Sequence, residues 1–267
     1  MKITKNIVIF FALMVVFTSC GDSWKNYIST EVDVEMGKSA QNQYDAIYAD
    51  QILDEKENKE LYKSINLILE RILKSGKVVH ADDFKWELKI INDTVLNAFC
   101  LPGGKIYVYT GLINYLDNEA QLAGVLGHEI AHADKRHSID NMAKQLGLST
   151  LVSLVFGDGS GLVNIAQNLI GLKFNRDNEA QADEFSINYL YNTVYDASEA
   201  NGFFEKLQKD NHTEDELDFL STHPAPENRK QNMLNHWREL GGKKGNKFKE
   251  NYLIIKKLIP KTGSEKW

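Results

Sequence analysis

His128-Glu129-Ile130-Ala131-His132 constrains this chain more than any other feature. It lies in the strongest helical stretch, spanning about residues 118–137, with Asn118 and Gln121 at capping-box spacing. At 3.6 residues per turn the two histidines stack on one helix face, where a single tetrahedral cation can take both imidazoles. Glu129 sits one residue round, within reach of a metal-activated water as general base. Leu122, Ala123, Val125, Leu126, Ile130 and Ala131 make this a buried helix. Charged residues on a buried helix need partners or a function.

A zinc site of this kind needs a third protein ligand and an open fourth position. His137 lies five residues past His132, whereas the metzincin pattern needs a histidine six past it and a glycine three past it; Ser138 and Lys135 stand there. His137 therefore reads as a helix-end histidine, favoured near the negative end of the dipole. Glu179, in Asn178-Glu179-Ala180-Gln181-Ala182-Asp183, is the better third ligand. Asp183 shares its helix face at i+4 and can orient a ligand imidazole from outside.

Around this centre the pattern is mostly helical with a small sheet, an α+β fold. Leu61, Ile65, Ile68, Leu69, Ile72 and Leu73 predict an amphipathic helix ending near Gly76. Residues 84–92 alternate as a strand, Pro102-Gly103-Gly104 is a turn, and residues 105–110 form a second strand. Helices are expected over 32–54, 140–156, 162–173, 177–191 and 197–209, with another entered at Pro226 and carrying Met233, Leu234, Trp237 and Leu240.

A short basic start, an apolar run over residues 7–17 and Phe17-Thr18-Ser19-Cys20 read as a lipoprotein signal over 1–19, with Cys20 lipidated. Gly21 after it is compatible with sorting to the outer membrane. Residues 20–31 would be a tether, 32–241 one domain, and 242–267 a basic tail with eight lysines and two glutamates. That tail reads as solvated, or as an arm on anionic head groups. A net charge of −6 gives no footprint for nucleic acid. The remaining cysteine, Cys100, has no intrachain partner and reads as a small buried hydrophobe. Oligomeric state leaves no mark in the sequence.

Five blocks in order then resemble the HtpX/BepA-type zinc metallopeptidases, the family that includes the CAAX prenyl protease. They are residues 97–104, residues 106–112, the HEIAH helix ending Lys135-Arg136-His137, residues 179–183, and Ser221-Thr222-His223-Pro224-Ala225-Pro226-Glu227-Asn228-Arg229. The resemblance spans about residues 32–240. It implies a zincin-type domain whose small sheet has an edge strand flanking the active-site helix. One Zn2+ would be held by His128, His132 and Glu179, with Glu129 as base and Asp183 in support. The strand Lys105, Ile106, Tyr107, Val108, Tyr109 would be the edge that pairs with an extended substrate peptide. For His223 three roles stay open: oxyanion donor, occupant of the fourth zinc position, or a helix-entry histidine without chemistry. Many members have alanine at the place of Cys100. Some carry C-terminal helical repeats, for which the residues after the core are too few.

The expected function is a lipid-anchored zinc endopeptidase on the periplasmic face of a bacterial membrane, the outer one by preference. It would cut misfolded or unassembled envelope proteins in quality control. The alternative keeps the zinc but not routine proteolysis: a chaperone-like assembly factor that holds clients on the edge strand.

Overall fold

The computed structural model describes residues 28–147, 149–151, 153, 169, 172–210, 218–224 and 228–261. The signal and lipidation readings at Cys20, most of the tether, the break at 157–161 with the start of the helix after it, and Pro226 lie outside these residues.

In chain order the elements are α1 (Glu31–Ile47), α2 (Lys59–Leu73), β1 (Glu87–Ile91), β2 (Ala98–Leu101), β3 (Lys105–Tyr109), α3 (Thr110–Tyr115), α4 (Glu119–Asp134), α5 (His137–Leu146), α6 (Arg176–Tyr191), a 3-10 turn (Ala197–Asn201), α7 (Gly202–Lys209), α8 (Asp218–Thr222), α9 (Arg229–Glu239) and α10 (Lys249–Lys257). Mostly helical with one small sheet, this is the α+β class expected.

The sheet order is β1-β3-β2, with β1 parallel and β2 antiparallel to β3. This corrects the reading of Lys105–Tyr109 as the substrate edge. β3 is the central strand, and all five of its residues are buried. Ile106 and Val108 face the core shared with α2 and α4, while Tyr107 and Tyr109 face the core under α1. A strand covered on both faces and paired on both sides has no free backbone to offer. The edge strand beside α4 is β2, which the sequence reading passed over as a strand. The turn joining β2 to β3 uses Gly103 and Gly104 at φ 71° and 89°, where a side chain would be strained.

Every residue of α4 is buried. Half of the expected capping box forms, since Asn118 Oδ1 accepts from the Gln121 amide at 3.0 Å, while Gln121 Oε1 reaches past the cap and accepts from the Asp117 amide at 2.8 Å. Close approach to the 3-10 turn requires Gly124, where a Cβ would lie 2.4 Å from the Ala200 Cα. Gly124→Ala sets two effects against each other. Helix propensity gains about 1 kcal/mol, but a clash with backbone cannot relax by rotamer change and costs about 1–3 kcal/mol or more. Net destabilisation is expected as a lower urea midpoint; an unchanged or higher midpoint would contradict this packing.

The lysine-rich segment after residue 242 is not simply solvated. α10 buries Tyr252 and Ile255, and the Tyr252 hydroxyl donates to the Ile113 carbonyl at 2.7 Å. Among the described residues no helix is long and apolar enough to cross a membrane.

Candidate metal centre

On α4 the Nε2 atoms of His128 and His132 lie 3.0 Å apart. α6 crosses α4 and brings Glu179 between them, its carboxylate oxygens 3.4 Å from His128 Nε2 and 3.3 Å from His132 Nε2. His223, just after α8, places Nδ1 3.0 Å from Glu179 Oε1. Each of these four buried residues offers one donor atom, all within 4.8 Å of one another. Ligands around tetrahedral zinc stand about 3.3 Å apart, so the donor set and its spacing fit one such ion.

Without an ion, these groups share charge unevenly. Burial pushes the Glu179 carboxyl up, but the imidazoles of His223, His128 and His132 hold it far below the carboxylate range. Burial opposes protonation of His128, yet hydrogen bonds to Asp183 and Glu179 raise its pKa to about 9. Burial leaves His132 well below the ordinary imidazole range.

Partners stand behind the donors. Asp183 Oδ1 is 3.0 Å from His128 Nδ1, as the i+4 spacing from Glu179 allows. Arg229, at the start of α9, donates from Nη2 to Asp183 Oδ1 at 2.6 Å and to Glu179 Oε2 at 3.4 Å. Its guanidinium lies over the Phe204 ring, 3.6 Å from the centroid. The bond from Arg229 to Asp183 joins two helices and leaves no local signal in the sequence. His137 is also placed differently than expected. It does not end α4 but opens α5, fully buried, with Nδ1 2.9 Å from His132 Nδ1. Arg136, left-handed at φ 57°, breaks the helix before it.

Residues 59–237 match the model of Peptidase family M48. The chain belongs to peptidase family M48. It is 38% identical over 156 residues to the mitochondrial metalloendopeptidase OMA1 of Arabidopsis thaliana, covering 56% of this chain and 31% of that one. It is 32% identical over 209 residues to the mitochondrial metalloendopeptidase OMA1 of Schizosaccharomyces pombe, covering 76% and 60%. It is 29% identical over 180 residues to the beta-barrel assembly-enhancing protease of Escherichia coli, covering 61% and 37%. The chain thus spans less than two thirds of each of these relatives. The expected family is found.

In this M48 domain Glu129 is, with Asp183, a buried acid outside the donor cluster that faces it. Its Oε1 is 3.7 Å from His223 Nε2 and has no hydrogen-bond partner among the described residues. Burial raises its carboxyl pKa above the usual range, against the pull of His223 and His128. A small cavity beside it is lined by Phe99, Cys100 and Leu101 of β2 and by Leu172, Phe174 and Thr222. Cys100 is buried and free, and burial pushes its thiol up, which makes it inert.

Proposed function

We propose that this M48 chain is an endopeptidase that hydrolyses extended segments of misfolded or unassembled envelope proteins, held to a bacterial membrane by a lipid on Cys20. The observation that carries the chemistry is the buried four-donor cluster beside the unpartnered oxygen of Glu129. In this reading His128, His132 and Glu179 hold the zinc, and Asp183 with Arg229 fixes His128. Zinc, when bound, supplies the Lewis acid that polarises the scissile carbonyl and makes water a nucleophile at neutral pH. Glu129 orients the attacking water and takes its proton, then returns it to the leaving amine as the C–N bond breaks. The peptide adds along β2, where main-chain bonds ask little of its sequence.

The E. coli relative's name supports the envelope reading; the relatives named mitochondrial leave the M48 chemistry as the common part. The test uses the chain beginning after Cys20. About one zinc per chain is expected, with casein cleavage that stops when a chelator removes it. In the full chain, labelling by a fatty-acid analogue should vanish in Cys20→Ser. Zinc-free protein would sink the chemistry; labelling that survives Cys20→Ser would sink the anchor alone.

The position of His223 favours a latent resting enzyme, the feature it shares with the chaperone-like reading. Its nitrogen stands among the donors where a substrate carbonyl must enter, and its ring stacks on Phe219 at 4.4 Å. His223→Ala is expected to raise casein cleavage several-fold. A fall of about 10²–10³-fold would instead assign it as an oxyanion donor.

A further inference from the structure

The two histidines of α4 are supported differently. His128 has the carboxylate of Asp183 at its Nδ1, the usual arrangement for a metal-binding imidazole. His132 has a second imidazole: its Nδ1 faces His137 Nδ1 at 2.9 Å. His137 Nε2 in turn lies 2.9 Å from Gln181 Oε1 on α6. We propose that His137 is a positioning residue for His132, with its own tautomer set by Gln181.

The protons follow from the geometry. His132 turns Nε2 toward Glu179 and the other donors, so its hydrogen resides on Nδ1. That N–H donates to His137 Nδ1, which must present a lone pair. The remaining hydrogen of His137 is then on Nε2 and donates to the Gln181 oxygen. Each bond fixes the direction of the next. The left-handed Arg136 turns the chain so that His137 looks back at α4, and Asp33 holds Arg136 there through bonds of 3.0 and 2.6 Å. Phe174 packs on the His132 ring with 3.9 Å between centroids, so its rotation is blocked there too.

This inference rests on His132 being a zinc ligand, and the experiment separates the two. Zinc affinity is read by competition with a chromophoric chelator, and geometry by the visible spectrum of the cobalt-substituted protein. His137→Phe is expected to bind zinc about 10–100-fold more weakly and to shift the cobalt bands. His137→Asn, whose Oδ1 can stand near the lost Nδ1, should recover most of the affinity. Gln181→Leu, at an exposed position that does not threaten folding, should lower affinity a few-fold. Wild-type affinity and cobalt spectrum in His137→Phe, an Asn variant no better than Phe, or an unchanged Gln181→Leu would overturn the proposal. His132→Ala must lose tight zinc; if it does not, the ligand reading fails, not the positioning one.

Discussion

Glu129→Gln is expected to lower casein cleavage by about 10²–10⁴-fold, the range for a lost general base, while zinc stays at about one per chain. The amide keeps the size of the carboxylate but cannot take a proton. Oε1 of Glu129 accepts no hydrogen bond among the described residues, and an amide oxygen can still accept the one that the Cys100 backbone gives the carboxylate. Its side chain is also not one of the four that could hold the metal. Cleavage and metal content should therefore separate in this variant. Cleavage that persists at wild-type rate would give the base to another residue, and zinc lost together with activity would mean that Glu129 supports the metal.

The largest stability effect is expected outside the donor cluster, at Arg136. Its guanidinium holds Asp33 Oδ2 and donates to the carbonyls of Ile28 and Ser29 at 2.8 and 3.2 Å. Asp33 is 1% exposed, and burial already raises its carboxyl against the pull of Arg136. Arg136→Met would leave that acid buried without its cation, at a cost of about 3–5 kcal/mol. Replacing both, with Asp33→Leu added, should recover much of the loss, because the pair also carries the desolvation of both charges. Urea unfolding of the single and double variants checks this. A single variant within about 1 kcal/mol of wild type would show that the pair contributes little, as surface pairs do.

What could be read from the sequence was what repeats at short range. The i, i+4 spacing put His128 over His132 and Asp183 beside Glu179, and both pairs meet in the structure. Periodicity and caps located α2, α4 and α6 to within a few residues. β2 was missed as a strand because four residues are too few to show alternation. β3 is central because β1 and β2 pair on either side of it, and its own five residues carry no sign of that long-range pairing. His137 was read as the end of α4 because nothing in Lys135-Arg136-His137 announces a left-handed arginine; the conformation is held by Asp33, over a hundred residues away in sequence. α10 was hidden for a similar reason: its buried Tyr252 and Ile255 stand among lysines. Arg229 and Gln181 owe their roles to contacts between elements, so local pattern left them unmarked.

The burial of α4 has a consequence for how the enzyme comes into being. A helix with no solvent-facing side has little stability of its own, and it carries His128, Glu129 and His132. The other donors arrive from residues 179 and 223, so the cluster closes only through contacts far apart in sequence. Half-folded copies have the motif but not the site. Activity should then disappear in the same cooperative transition as the fold. The motif alone, on an unfolded chain, therefore makes no metal centre.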